Sequence, residues 1–131
     1  MNSETLPSTK TLLFVDDEPL MVDLFRDYMT MRGFFVLTAS DAIEALKRVA
    51  EAEPSIDLVI TDMTMPGMDG LELAQQLLAT SPQLSVLLTT GHDRLAMEVT
   101  LPSNIVGVVT KPYQNRVMAE KIRDILARKS S

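Results

Sequence analysis

The sequence predicts an α/β fold in which a parallel β-sheet lies between two layers of helices. Short apolar runs alternate along the chain with segments of helical periodicity, as in strands that are joined by crossover helices. The runs are apolar almost throughout rather than at every second residue, which indicates strands buried on both faces. With 131 residues, of which 46% are hydrophobic and 23% charged, the chain has the size and composition of one soluble globular domain.

The first predicted strand is followed by a helix with start and stop signals. The strand covers Leu12–Val15, and the helix begins near Pro19 and stops at Gly33. Apolar residues of this helix recur at the spacing that places them on one face: Met21, Leu24, Phe25 and Tyr28. The second strand is predicted over Phe34–Leu37.

The next two helices share an N-terminal capping signal, an aspartate followed three residues later by a glutamate. These pairs are Asp41 with Glu44 and Asp69 with Glu72, and the third strand, which ends at Asp62, lies between the two helices. The first helix is predicted to pack through Ala42, Leu46, Val49 and Ala50. The second is predicted to pack through Leu71, Ala74, Leu77 and Leu78.

The C-terminal part of the chain adds two strands and two helices. The fourth strand ends at Thr90, and a short helix over residues 94–100 is stopped by Pro102. The fifth strand reaches Thr110 and is followed by a helix over residues 114–128. This last helix is predicted to pack through Met118, Ile122, Ile125 and Leu126.

The composition excludes several kinds of site. Because the chain has no cysteine, disulfides and thiolate metal sites are excluded, and a cytoplasmic location is compatible. A formal charge of −6 argues against direct binding of nucleic acid, which needs lysine and arginine to neutralise phosphates. No apolar stretch approaches the roughly 18 residues that span a bilayer, so no membrane contact is expected.

Polar side chains stand at the ends of four predicted strands: Asp16 and Asp17, Asp62, Thr90 and Lys111. The carboxyl ends of parallel strands meet at one edge, where open α/β sheets bind their ligands. Two carboxylates about 4 Å apart repel each other by roughly 4 kcal/mol at an effective dielectric constant near 20. Such a cluster therefore favours a hard divalent cation such as Mg²⁺, which prefers oxygen ligands.

The same edge suits phosphoryl chemistry. Carboxylates form aspartyl-phosphate intermediates, and Asp62, alone at the end of a central strand, is the candidate nucleophile. The Lys111 ammonium and the Thr90 hydroxyl would then balance the phosphoryl oxygens. An acidic pair at the start of a helix also suits the helix dipole without any function, so the prediction rests on the combination of all four strand ends.

These residues belong to four motifs in which the chain resembles the receiver domains of two-component response regulators. The motifs are Asp16–Pro19, Thr61–Gly70, Thr89–Gly91 and Lys111-Pro112. The resemblance implies a receiver domain over residues 10–129, with short tails at 1–9 and 130–131. It also implies a flavodoxin-like α/β/α sandwich with a five-stranded parallel sheet in the order 2-1-3-4-5.

The resemblance implies that Asp62 is a phosphoacceptor, supplied by a phosphohistidine of a sensor histidine kinase or a histidine phosphotransfer protein. Thr90 and Lys111 would contact the phosphoryl group, and the Lys111-Pro112 bond would be cis. Such a domain is a regulatory phosphoacceptor rather than an enzyme, although it catalyses its own phosphotransfer and dephosphorylation. It acts on a downstream output domain or protein, and a weak homodimer is compatible with it.

The resemblance also implies a set of metal ligands. Asp17, Asp62 and the Thr64 carbonyl would bind Mg²⁺ directly, and Asp16 would bind it through water. Thr64 and His92 would flank the position from which a hydrolytic water attacks, so both could tune the lifetime of the phosphoryl group.

Two positions depart from the receiver pattern. Receivers often carry an aromatic residue three positions before the site lysine, which turns inward in response to phosphorylation. This chain has Val108 there, which is too short and stiff to make that movement. Asn104 stands where a glycine commonly ends the preceding helix, and it is expected to take over the left-handed conformation.

Other functions stay open on the residues alone. A Mg²⁺-dependent phosphatase of the haloacid-dehalogenase-like kind also combines an aspartate nucleophile with a lysine, a hydroxyl and further acids. It usually has a second aspartate two residues after the nucleophile, where Thr64 stands here, and this chain is too short for the usual substrate cap. A receiver fold used only as a binding module would lose an acid or the lysine, and none is lost. The chain could be a free-standing regulator or the receiver of a hybrid histidine kinase.

Overall fold

The structure is a computed structural model that describes residues 9–52, 55–91 and 100–130. Its strands are β1 (Thr11–Val15), β2 (Phe35–Ala39), β3 (Leu58–Asp62), β4 (Ser85–Thr90) and β5 (Ile105–Thr110). The helices of the described residues are α1 (Pro19–Met31), α2 (Ala42–Glu51), α3 (Gly70–Thr80) and α4 (Asn115–Ser130). All neighbouring strands are parallel, in the order β2-β1-β3-β4-β5, so the predicted fold class and strand order are confirmed.

Some predictions concern parts of the chain outside the described ranges. These are residues 1–8 of the predicted tail over 1–9, residues 94–99 of the predicted helix over 94–100, His92, and residue 131 of the predicted tail over 130–131. None of the four described helices has the length and apolarity of a membrane span.

Alternate residues of the strands face two separate layers of the core. In β1, Leu12 and Phe14 pack on the side of α1 and α4, and Leu13 and Val15 pack on the side of α2 and α3. The inner strands β1, β3 and β4 are buried as predicted, whereas the edge strands β2 and β5 are only partly buried. An edge strand has a neighbour on one side only, so an apolar sequence overstates its burial.

The buried faces of two helices differ from the predicted ones. Leu24 of α1 is 51% exposed and Ala50 of α2 is also exposed, whereas Met29 and Ala45 are buried. In α1, Phe25 and Met29 lie about one turn apart and define the buried stripe, and Leu24 lies about 100° around the axis from Phe25. The predicted contacts of α4 are all buried. Helical spacing thus identified the buried side of α1 and α2 but not the edge of each stripe.

Both predicted N-caps are present. The Asp41 carboxylate accepts from the Glu44 N–H at 2.8 Å, and Asp69 accepts from the Glu72 N–H at 2.8 Å. In α3 the capping box is complete, because Glu72 accepts from the Asp69 N–H at 3.0 Å. In α2 the Glu44 carboxylate instead accepts from the Ser40 N–H at 2.7 Å. The two helices therefore begin at fixed points after β2 and β3.

Asn104 has a different role from the expected one. Among the described residues only glycines have a positive φ, so the expectation of a left-handed Asn104 was wrong. The residue is buried, and its side-chain amide donates a hydrogen bond to the Ala74 carbonyl at 2.9 Å. Its own carbonyl accepts from the Val86 N–H at 2.9 Å. Asn104 thus links the start of β5 to α3 and to β4.

The start of α3 lies directly against the end of β3. The Gly70 N–H donates to the Met63 carbonyl at 2.9 Å. A Cβ added to Gly70 would overlap the Asp62 carbonyl oxygen and would lie 2.9 Å from the Cα of Met63. Both obstacles are backbone atoms, so a side chain at this position has to displace either the helix or Asp62.

Gly70→Ala is therefore expected to lower the free energy of unfolding by about 1–3 kcal/mol, the usual cost of overpacking. Urea unfolding measures the loss. Gly91→Ala is the matched control, because no atom of the described residues lies within 4 Å of a Cβ at that position. Equal stability of the two variants would contradict the close approach of α3 to Asp62.

Candidate functional site

Hydrogen bonds of the sheet hold two of the predicted acids in place. Asp16 follows β1 directly, and its N–H donates to the Ala39 carbonyl at 3.1 Å. Asp62 is the last residue of β3 and is paired in register with Thr89 of β4. The next N–H, that of Met63, donates to the Thr89 carbonyl at 2.8 Å. Because β1 and β3 are neighbours in register, the two carboxylates lie at the same edge of the sheet.

Three carboxylates converge at this edge. Asp16, Asp17 and Asp62 each offer an oxygen, and the three oxygens lie within 4.8 Å of one another. The Asp16 side chain is fully buried, and that of Asp62 is 11% exposed, whereas Asp17 is exposed to solvent. A group of hard oxygen donors that is open to solvent on one side fits Mg²⁺, which keeps several waters when it binds proteins.

Lys111 lies between the two buried acids. Its Nζ is 3.2 Å from Asp16 Oδ2 and 3.2 Å from Asp62 Oδ2. The Lys111 N–H donates to the Thr90 carbonyl at 2.7 Å, which anchors the lysine to the end of β4. The Lys111-Pro112 peptide bond is cis. Among the described residues, one ammonium thus contacts two of the three clustered carboxylates, so these residues leave an excess of negative charge.

The charges of the site shift the pKa values of its groups. Burial raises the pKa of Asp62 above its ordinary value, against the opposing attraction of Lys111, and the charge of Asp16 adds to the increase. Burial alone would lower the pKa of Lys111, but the carboxylates of Asp16 and Asp62 outweigh it and raise this pKa. Lys111 therefore stays protonated at neutral pH, and Asp62 shares this cationic partner, the one that the described residues supply, with Asp16.

The structure also places most of the other predicted site residues. The Thr64 backbone lies near the Asp62 carboxylate, where it acts to lower the pKa of Asp62 against the effect of burial. Thr90 is the last residue of β4 and is buried, and its carbonyl accepts from the Lys111 N–H. Val108 is half-buried and packs against the core on the side of α2 and α3.

Sequence reasoning missed a buried hydroxyl next to the site. The hydroxyl of Tyr113 is shielded from solvent and has no hydrogen-bond partner among the described residues. Burial raises the pKa of Tyr113, and the charges of Asp16 and Asp62 raise it further. An aromatic residue ahead of a helix is normally a core residue, and the only signal of another role is its position directly after Lys111-Pro112.

Comparison with known proteins agrees with this geometry. The family model described as the response regulator receiver domain matches residues 12–123. The transcriptional regulatory protein AfsQ1 of Streptomyces coelicolor is 32% identical over 118 residues, which cover 90% of this chain and 52% of that protein. The chain spans about half the length of the curated relatives that it matches.

Solved structures show the same fold and similar sequences. A response regulator receiver domain protein from Clostridium thermocellum has a TM-score of 0.81 at 30% identity, over 92% of this chain and 97% of that chain. The response regulator protein TrrA from Thermotoga maritima, solved in complex with Mg(2+)-BeF, has a TM-score of 0.79 at 28% identity, over 88% of this chain and 98% of that chain.

Proposed function

The chain belongs to the response regulator receiver domain family, and on that basis we propose that Asp62 is the residue that accepts a phosphoryl group. Receiver domains of response regulators are regulatory. The observation that carries the proposal for this chain is the position of Asp62: at the end of a central strand, within the acidic cluster and 3.2 Å from the Lys111 ammonium. The phosphatase alternative is not favoured by the relatives, which are response regulators.

The proposed reaction starts with a phosphohistidine of a sensor histidine kinase or a histidine phosphotransfer protein. An oxygen of the Asp62 carboxylate forms a bond to phosphorus while the bond from phosphorus to the imidazole nitrogen breaks. The bonding electrons return to the imidazole, which leaves with its partner protein. Lys111 and Thr90 would hold the phosphoryl oxygens, since positioning and charge neutralisation supply most of the catalysis in phosphoryl transfer. We infer that the transfer, and the later hydrolysis, depend on these residues of the receiver itself.

The acidic cluster is the proposed magnesium site. Asp17, Asp62 and the Thr64 carbonyl would hold the ion directly, and Asp16 would hold it through water, in line with the donor chemistry of the three converging carboxylates. Bound Mg²⁺ would neutralise negative charge at the carboxylates and the phosphoryl oxygens. The complex of TrrA with Mg(2+)-BeF supports this assignment by analogy.

The partners of the chain are part of the proposal. Relatives such as AfsQ1 are transcriptional regulators of about twice the matched length, so an output domain or protein would receive the signal. The charge of −6 supports a receiver that does not itself bind nucleic acid. A cytoplasmic location would suit both the absence of cysteine and a phosphohistidine-bearing partner.

Phosphorylation by a small acyl phosphate tests the proposal. With Mg²⁺ present, the intact mass is expected to rise by one phosphoryl group, attached to Asp62, and a chelator of Mg²⁺ is expected to prevent the increase. Rapid multiple turnover of phosphate esters would instead support the phosphatase. Absence of both modification and Mg²⁺ binding would support a receiver fold that is used only as a binding module.

A further inference from the structure

The edge strand β2 directs half of its backbone hydrogen-bonding groups away from the sheet. It lies at one end of the strand order and pairs only with β1, in unbroken register over its whole length. The Phe35 N–H donates to the Lys10 carbonyl at 2.9 Å, and the Ala39 carbonyl accepts from the Asp16 N–H at 3.1 Å. Because successive residues of a strand direct these groups to opposite sides, residues 36 and 38 direct theirs outward, away from β1.

Some groups at this edge already have partners within the chain. Arg48 of α2 donates through Nε to the Thr38 carbonyl at 3.1 Å, and the Phe34 N–H donates to the Met29 carbonyl at 3.1 Å. The Phe34 carbonyl faces outward, because a trans peptide directs its C=O opposite to the next N–H, which here bonds to β1. Among the described residues, the groups left open are the Phe34 carbonyl, both backbone groups of Val36 and the Thr38 N–H. Such a row of unpaired groups is a template for another strand.

The order of the open groups is complementary to itself. In an antiparallel pair, directly opposed residues of the hydrogen-bonded kind exchange both of their N–H···O=C bonds. If Val36 lies opposite Val36 of a second copy, the two valines exchange such bonds. Each Thr38 N–H then meets the Phe34 carbonyl of the other copy, so every open group has a partner. Arg48 occupies the Thr38 carbonyl and thereby ends the pairing at that residue. A second copy of this chain therefore satisfies the edge completely.

The side chains of β2 also suit an added strand. Phe35 is 48% exposed, although the strand that it begins ends in the buried Ala39. In the register centred on Val36, Phe35 lies opposite Leu37 of the second copy, and cross-strand pairs of aromatic and aliphatic side chains stabilise sheets. The strand contains neither a charged residue nor a proline, the residues that commonly discourage pairing at an edge.

The edge strand at the other end of the sheet is protected. The register of β5 with β4 shifts by one residue at Val106, which leaves a bulge in the strand. The side chain of Lys121 lies over the same strand, with Nζ 3.5 Å from the position of a Cβ on Gly107. Bulges and lysines are features by which proteins prevent pairing between sheet edges. The contrast between the two edges favours β2 as the surface for strand addition.

We propose that the outer edge of β2 is an interface at which two copies of this chain pair antiparallel about Val36 and join their sheets into one. The interface goes beyond the proposed phosphoacceptor function and does not depend on it. Each copy has a formal charge of −6, so the two repel each other at low ionic strength. Because salt screens this repulsion, the dimer is expected to become tighter as the salt concentration rises.

The first test measures association by sedimentation equilibrium of the whole chain over a range of concentrations. The unmodified protein is expected to dimerise, and Phe35→Lys, which places a charge at the open edge, is expected to weaken the dimer by about tenfold. Val106→Lys is the matched control, because it introduces the same charge at a partly exposed apolar residue of the opposite edge strand. This control is expected to leave the dimer unchanged, and urea unfolding verifies that both variants are folded.

The second test uses disulfide cross-linking to determine the register. The chain has no cysteine, so a single introduced thiol can pair only with its copy in another molecule. Val36→Cys places the two thiols on directly opposed residues, whose Cα atoms lie about 5.5 Å apart in an antiparallel pair, within the range of a disulfide. With oxidised glutathione as the oxidant, Val36→Cys is expected to form a covalent dimer. Phe35→Cys is expected to form far less, because its thiol faces Leu37 of the second copy.

Several results would overturn the interface. A protein that stays monomeric at every concentration has no such dimer, and a dimer that Val106→Lys weakens while Phe35→Lys does not would use the β5 edge instead. Equal cross-linking of Val36→Cys and Phe35→Cys would contradict the self-complementary register. Asp62→Asn is expected to dimerise like the unmodified protein, so the interface and the phosphoacceptor assignment can fail independently of each other.

Discussion

Asp62→Asn is expected to abolish phosphorylation and, at the same time, to make the metal-free protein more stable. Asparagine has nearly the same shape as aspartate but lacks the nucleophilic carboxylate, so the mass increase with acyl phosphate and Mg²⁺ should disappear. It also removes one negative charge from a cluster of three carboxylates, two of which share the ammonium of Lys111. The substitution therefore affects function and folding in opposite directions, which is typical of a residue placed for chemistry.

The raised pKa of Asp62 shows why Asp62→Asn should stabilise the folded protein rather than destabilise it. The pKa of Asp62 is raised in the folded protein above its reference value of 3.8, first of all by burial. A carboxyl of this kind contributes stability below the reference value and loses that contribution as the pH rises through the raised value. At neutral pH the ionised Asp62 thus opposes folding, and the neutral amide that Asp62→Asn introduces removes this unfavourable contribution.

Urea unfolding at several pH values measures this effect. The stability advantage of Asp62→Asn is expected to be present at neutral pH and to shrink as the pH falls through the raised pKa of Asp62 toward the reference value of 3.8, because the folded protein takes up a proton at Asp62 over this range. Asp124→Asn, at an exposed position of α4, is the control and is expected to change neither stability nor phosphorylation. Phosphorylation that persists at another residue in Asp62→Asn would contradict the assignment.

Lys111→Met is expected to cause a large loss of stability in the absence of Mg²⁺. Methionine keeps an unbranched apolar side chain but removes the ammonium that lies 3.2 Å from both Asp16 and Asp62. Removal of one partner from a buried ion pair typically costs about 3–5 kcal/mol. We expect the lower end of this range, because the Lys111 side chain is 20% exposed and water can reach part of the site.

Added Mg²⁺ is expected to reverse part of this loss. Without the ammonium, no cation of the described residues competes for the acidic cluster, so Lys111→Met should bind Mg²⁺ about tenfold more tightly, which corresponds to about 1.4 kcal/mol. Urea unfolding and titration calorimetry measure the two effects. Lys121→Met, which changes an exposed lysine beside Gly107, should show neither. Unchanged stability and Mg²⁺ affinity in Lys111→Met would show that the lysine does not compensate the acids.

Much of the site could be predicted because the carboxyl ends of parallel strands meet at one edge, whatever the packing of the helices. Once the apolar runs were identified as strands, Asp16, Asp62 and Lys111 had to lie near one another. Their individual contacts could not be predicted in the same way. Whether a lysine contacts one acid or two depends on the register of the strands and the path of the loop before it, and both are set by packing across the whole sheet.

The residues that were wrongly predicted or missed depend on long-range contacts. Asn104 bonds to the Ala74 carbonyl, 30 positions earlier in the chain, so local backbone preference was a poor guide to its conformation. The burial of Leu24 depends on where α1 lies on the sheet, which helical spacing alone does not specify. The hydroxyl of Tyr113 differs from a core aromatic only through the charges that the fold brings near it.

The central position of β3 has a consequence for how long a phosphoryl group could persist. Every residue of β3 is buried, and the strand is bonded to β1 on one side and β4 on the other. Strands of this kind generally open only when the whole domain unfolds, whereas edges and termini fray at much lower free energy. Asp62 is thus attached to a strand that is expected to exchange slowly. The lifetime of an aspartyl phosphate there would be set by the access of water to the rim of the site, not by breathing of the strand that carries it.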